Sequence, residues 1–137
     1  MGSGVPVGGH PLPVVDHRVS DLIGGDQIQS QGQLFLGFLR EGSLTAVMDL
    51  ILRYPEPGMA WIGWLILDPA CQGRGEASAI LRATEAALAA EGFRELRLAV
   101  DKGNPQSWAF WHKNGYTRYG PERPNGFSAY LPMKKAL

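Results

Sequence analysis

The stretch Gln72-Gly73-Arg74-Gly75-Glu76-Ala77 decides how this chain folds. It stands between a strand-like run, Trp61 to Leu67, and an alanine-rich helical run, Ala77 to Glu91. A glycine-rich turn that opens a helix presents backbone N–H groups with no partner inside the helix. The helix dipole adds partial positive charge at the same point. The segment is therefore read as an anion site of the kind that receives phosphate.

Upstream, Leu34 to Leu39 reads as a strand, Glu41-Gly42 as a tight turn, and Thr45 to Tyr54 as a second strand with Asp49 inside it. Pro55-Glu56-Pro57-Gly58 is a turn signal. Met59 to Leu67 is apolar at nearly every position, which predicts a central strand covered on both faces. Short links predict an antiparallel meander.

Downstream, Ile80, Leu81, Thr84, Ala87 and Leu88 have the spacing of one buried helical stripe, and Gly92 is the expected stop. Leu96 to Val100 is the next strand, and a strand–helix–strand unit predicts parallel pairing with a right-handed crossover. Asn104-Pro105 is a good start for a second helix, which Asn114-Gly115 should end. Tyr116 to Tyr119 and Phe127 to Lys134 read as a closing pair of strands.

Residues 1–32 differ in texture. Seven glycines (Gly2, Gly4, Gly8, Gly9, Gly24, Gly25, Gly32) and three prolines (Pro6, Pro11, Pro13) resist helix and strand alike. A short helix over Asp16 to Ile23 is the most regular structure expected there. The chain therefore divides into a Gly/Pro-rich segment, 1–32, and a folded domain, 33–137.

Bulk properties narrow the function. The 137 residues suit one domain, by the prior of roughly 100–200 residues. Thirteen basic and thirteen acidic residues cancel, which gives no sign of a nucleic-acid or membrane partner. The single cysteine, Cys71, excludes an internal disulfide and suits a reducing compartment. No apolar run approaches the ~18 residues of a membrane span. A cytoplasmic location is the expectation.

Rival glycine motifs fit poorly. A P-loop requires Lys-Ser/Thr after its last glycine, and none is present. Gly73, Gly75 and Ser78 match a dinucleotide fingerprint in part, and Asp101 closes the next strand. However, five residues, Asp68 to Gln72, separate strand from glycine, and the meander is the wrong beginning for that fold.

Residues 63–116 closely resemble the GCN5-related N-acetyltransferase (GNAT) family. Its loop pattern, R/Q-x-x-G-x-G/A, stands here as Gln72-Gly73-Arg74-Gly75-Glu76-Ala77 after Leu67-Asp68-Pro69. A second family element follows at family spacing: Asn104, Ser107, Phe110-Trp111 and Gly115-Tyr116. With the strands from Gln33 onward the resemblance covers about three-quarters of the chain. It implies an α/β fold: a mixed twisted sheet with an antiparallel meander, a splayed central strand pair and helices on both faces, here with a reduced N-terminal strand and helices.

The resemblance also implies acetyl-CoA as donor and an amine as acceptor. The amides of Gly73, Arg74, Gly75, Glu76, Ala77 and Ser78, after Gln72, would hold pyrophosphate. The edge of Leu65, Ile66 and Leu67 would pair with the pantetheine arm, and the Leu67 amide would polarise the thioester carbonyl. Asn104, Ser107 and Trp111 fall on the cofactor side, with Trp111 read as core or as a wall for the cofactor. No metal is implied.

Two departures stand out. Many relatives carry an acidic base on the central strand, where this chain has Trp61, Ile62, Gly63 and Trp64. Asp49 is the substitute base, with Tyr54 and Glu56 behind it; the plainer reading of Asp49 is a solvated strand face. The family's proton-donating Tyr, seven residues after the Asn, is Trp111 here. Tyr116 is the replacement acid, unless water suffices or catalysis is impaired.

Cys71 reads as a packing residue, and His10, His17 and His112 lack metal spacing. Arg74 and Lys113 are candidates for a phosphate contact or for plain solvation. The expected function is acetyl-CoA-dependent acetyl transfer to a primary amine of a small molecule or peptide. The alternative is an acyl-CoA-binding module with little catalysis. The reduced N-terminus is expected to leave an open acceptor groove, to be completed by a second subunit in a homodimer.

Overall fold

The computed structural model describes residues 32–124, 126 and 128–137. In chain order its elements are β1 (Gln33–Arg40), β2 (Ser43–Leu52), β3 (Met59–Leu67), a short 3-10 turn (Pro69–Cys71), α1 (Glu76–Ala90), β4 (Glu95–Asp101), α2 (Pro105–Lys113), β5 (Thr117–Arg118), β6 (Arg123–Pro124) and β7 (Ala129–Ala136). The seven strands form one open sheet in the order β1-β2-β3-β4-β7-β5, with β6 also on β7.

Local chemistry explains the elements. Glu41 and Gly42 both take positive φ, 52° and 83°, which matches the right-handed twist of a two-residue hairpin and joins β1 to β2 antiparallel. β2 and β3 are likewise antiparallel, and β3 and β4 are parallel, as the meander and crossover predict. α1 buries Ile80, Leu81, Thr84, Ala87 and Leu88, the predicted stripe. Its end is tied by Gly92 N–H to Ala89 C=O at 3.0 Å and Phe93 N–H to Leu88 C=O at 3.0 Å, with Gly92 left-handed at φ 94°. α2 starts as predicted: the Asn104 side chain accepts from the Ser107 N–H at 3.0 Å, and Pro105 takes the first helical position.

Alternation along the strands sends one set of side chains into the core. Leu36, Met48, Leu50, Ile62, Leu96, Leu98 and Met133 meet the α1 stripe and Trp111 in a single cluster. Both described helices feed this core. The expected helix cover on the opposite face, the short helix over 16–23 and the division at residue 32 fall on residues 1–31, outside the described residues.

The opposite face corrects one expectation. β3 is central, but among the described residues it is not covered on both faces: Trp64 is 39% and Ile66 57% exposed. An apolar run records which side chains avoid charge, and does not say whether a second layer reaches them.

The central pair parts as the fold class requires. β3 and β4 are paired only from Met59–Glu95 to Ile62–Leu98. At that point β3 carries a bulge: Leu50 faces Ile62, Asp49 faces Trp64, and Gly63 is the extra residue. A bulge bends its strand and raises the local twist. Beyond it, Gly63 to Leu67 keep β2 as neighbour and have no strand on the other side among the described residues.

Candidate active site

The parted edge of β3 carries free amides. The Asp68 N–H donates to the Thr45 carbonyl of β2 at 2.8 Å. Backbone groups alternate in direction along an antiparallel strand. The N–H groups of Leu67 and Leu65 therefore turn away from β2 and face the gap toward β4. Ile66, between them, is bound to β2 and presents its side chain on the opposite face.

At the end of β3 the chain passes the 3-10 turn, capped by the Asp68 carboxylate accepting from the Ala70 N–H at 2.9 Å, and enters the glycine loop. Gly73 and Gly75 are left-handed, at φ 79° and 77°. A side chain at either would meet nothing within 4 Å, so the backbone geometry, rather than crowding, asks for glycine. Gly75 is the N-cap of α1 and offers no side-chain acceptor to the amides of the first turn. Those amides open on a cleft of about 350 Å³ lined by Leu67, Gln72, Gly73, Gly75, Glu76, Ala77, Ser78, Phe110 and Lys113.

Six of the seven loop positions picked out in sequence, together with Leu67, thus share one cavity. Arg74 is exposed and does not line it. Phe110 and Lys113, three residues apart on α2, complete the wall. Lys113 had a sequence argument; Phe110 was visible only as part of the family element.

Glu76 does more than supply an amide. Its carboxylate is buried, with Oε1 accepting from Arg40 of β1 at 2.8 Å and Oε2 without a hydrogen-bond partner. Arg40, 36 residues away, was not legible as part of this site. The pair ties the end of β1 to the start of α1 and balances a negative charge beside the loop.

The three residues expected on the cofactor side at α2 lie as follows. Trp111 is buried and packs edge-to-face on Phe110 at 5.0 Å and on Tyr116 at 5.2 Å. Of its two readings, core or a wall for the cofactor, its burial places it in the core. Asn104 and Ser107 are bonded to each other at the helix start and lie outside the cleft lining.

Tyr116 is corrected too. It has no exposed surface, and its hydroxyl donates to Glu85 of α1 at 2.7 Å. Glu85 is also held by Lys135 at 2.9 Å. Burial, reinforced by the Glu85 hydrogen bond and charge, raises the phenol far above its ordinary value. With no exposed surface and its hydroxyl committed to Glu85, this phenol is placed as a structural group.

Asp49 projects from β2 on the sheet face opposite the core, against Gly63 at the point where the gap opens. It is 7% exposed, and its Oδ1 accepts from Gln33 Nε2 at 2.8 Å. Its neighbours across the strands are Phe35 and Trp64, whose rings stack at 6.1 Å. The gap thus has the glycine loop toward the core layer and a carboxylate on the opposite face. Among the described residues no group of three His, Cys, Asp or Glu stands together as a metal site. No helix there is long and apolar enough to cross a membrane.

Comparison with known proteins gives the family and the fold. A sequence model described as the acetyltransferase (GNAT) family matches residues 11–116. The chain belongs to the acetyltransferase (GNAT) family. No curated protein matches it. Among solved structures it is similar to an acetyltransferase from Thermus thermophilus, with 23% identity and a TM-score of 0.66 over 79% of this chain and 66% of that one. It is similar to the PaiA N-acetyltransferase from Thermoplasma acidophilum in complex with coenzyme A, with 25% identity and a TM-score of 0.66 over 81% and 65%. A GNAT-family acetyltransferase from Streptococcus pneumoniae matches at 19% identity and a TM-score of 0.67 over 82% and 71%. The chain spans about two thirds of the length of the first two.

Proposed function

We propose that this chain is an acetyl-CoA-dependent N-acetyltransferase that passes the acetyl group directly to a primary amine. The observation that carries the reading is the parting of β3 from β4 at Ile62, which turns the Leu65 and Leu67 amides toward a gap, with Leu67 also lining the glycine-loop cleft.

The residues suit coenzyme A. The amides of the first turn of α1 and Lys113 present positive charge to a pyrophosphate. The open edge at Leu65 and Leu67 suits the amides of a pantetheine arm, which would add to it like a strand. The PaiA relative solved with coenzyme A supports this donor.

Transfer needs a neutral amine, because an alkylammonium of pKa about 10.4 has no lone pair to offer. Asp49, directly or through water, takes that proton. The amine nitrogen then bonds to the thioester carbonyl carbon while the Leu67 N–H faces the oxygen that gains negative charge. The nitrogen, cationic after the attack, gives up its second proton to water, the C–S bond breaks, and the thiolate takes a proton from water. A thiol of pKa about 8.5 leaves acceptably without a protein acid. That point matters, because Trp111 and Tyr116 are both withdrawn.

The withdrawn Tyr116 is also what favours the second reading, an acyl-CoA-binding module with little catalysis. A thiol-release assay over a panel of amines separates the two. Amine-dependent release of CoA supports the enzyme; tight acetyl-CoA binding with no release for any amine supports the module.

A further inference from the structure

The face of the sheet opposite the core carries an aromatic pair around a buried carboxylate. Phe35 of β1, Asp49 of β2 and Trp64 of β3 are consecutive cross-strand neighbours. Phe35 is 70% and Trp64 39% exposed, and their rings lie within 27° of parallel. Exposed rings of this size on a folded surface mark contact sites more often than they fill space. Between them Asp49 keeps Oδ1 on Gln33, while its Oδ2 lies over Gly63 and has no hydrogen-bond partner among the described residues.

We propose that Phe35 and Trp64 select the acceptor: a primary alkylammonium on an apolar stem, its nitrogen at Asp49 Oδ2 and its stem along the two rings. The proposal rests on the acetyltransferase reading above and names the substrate class for it.

The chemistry favours this occupant over others. The carboxylate asks for a donor or a cation. Ring faces carry negative potential and attract a cation within about 6 Å, while their area rewards an apolar chain. An α-amino acid would bring a second carboxylate against Asp49 and the ring faces, and both would repel it. Gly63 matters as well: the missing side chain leaves Oδ2 room on the side toward the gap where the acetyl group would arrive.

The test uses the full chain with saturating acetyl-CoA and a series from methylamine to hexylamine, with alanine as the α-carboxylate control. kcat/KM is expected to rise with stem length and to be lowest for alanine. Phe35→Ala should raise the amine KM on the order of tenfold, with kcat and the acetyl-CoA KM unchanged, and Phe35→Trp should restore it. Phe35 is exposed, so the variant keeps the fold. A rate independent of stem length, or an unchanged amine KM in Phe35→Ala, overturns the proposal while leaving the acetyltransferase reading intact. If no amine is acetylated, that reading fails instead. Calorimetry of hexylammonium on CoA-loaded protein then decides the present one: binding that weakens in Phe35→Ala supports it, and absence of binding overturns it.

Discussion

The carboxylate of Asp49 occupies the space that a side chain on Gly63 would fill: a Cβ at Gly63 would clash with Asp49 Oδ2 and stand 3.0 Å from its Cγ. The bulge and the acid are therefore one feature. Gly63 is the extra residue that parts β3 from β4, and its bareness is what lets an acid sit at the parting point.

Gly63→Ala is expected to destabilise the protein by about 1–3 kcal/mol, because well-packed sites do not absorb an added methyl without shifts. Asp49→Ala in the same chain should recover most of that loss. A urea-unfolding double-mutant cycle measures the coupling, and additive effects would show that the two residues do not share this space.

Asp49→Asn keeps shape and removes the base. Amine acetylation is expected to fall on the order of 10²-fold or more in kcat at neutral pH, with acetyl-CoA affinity retained. Steady-state rates paired with calorimetry check this, and an unaltered kcat would move the base elsewhere.

Gly75→Asp places a negative side chain at the N-cap of α1, on a residue held at φ 77°. Acetyl-CoA binding should be lost while the circular-dichroism spectrum persists. Unchanged affinity would remove the loop from the donor site.

Tyr116→Phe tests the withdrawn phenol. Activity should persist, since the hydroxyl serves Glu85, and stability should fall by about 1.5–3 kcal/mol for a hydrogen bond to a charged group. The pH dependence has a definite sign. The folded phenol titrates higher than the unfolded one, so its contribution is complete below about pH 10 and declines as pH rises beyond that. Thermal unfolding of the parent should therefore weaken above about pH 10 more steeply than that of Tyr116→Phe.

Arg40→Ala leaves the buried Glu76 carboxylate without its partner. Arg40 is partly exposed, so the expected loss is discounted to about 1–3 kcal/mol from the range for a fully buried pair. Acetyl-CoA affinity should fall as well, because the uncovered negative charge lies beside the glycine loop proposed to hold its phosphates. Glu76→Gln in the Arg40→Ala background should return both, by thermal shift and calorimetry.

Much of the architecture was legible because it is written in short-range signals. The turn at Glu41-Gly42, the stripe on α1, the caps at Gly92 and Asn104, and the left-handed glycines of the loop each depend on residues within one or two turns of one another. The loop motif and the element after Asn104 were enough to name the family and the mixed, splayed sheet. What stayed out of reach depends on partners distant in the chain. The Arg40–Glu76 pair spans 36 residues, and the Tyr116–Glu85 bond spans 31.

The sequence by itself determined most of the secondary structure, the antiparallel meander, the parallel crossover and the glycine turn that opens α1, because periodicity, turn chemistry and caps act locally; the seating of β7 between β4 and β5 was decided only by the tertiary structure. Only the tertiary structure decided which polar groups are free to react. Tyr116 and Asp49 are equally plausible as letters, yet packing turns one phenol inward onto Glu85 and sets one carboxylate against the bare Gly63 at the mouth of the gap. The reason is physical: whether a side chain can exchange a proton depends on its burial and its partners, and both are set by residues brought together from across the chain.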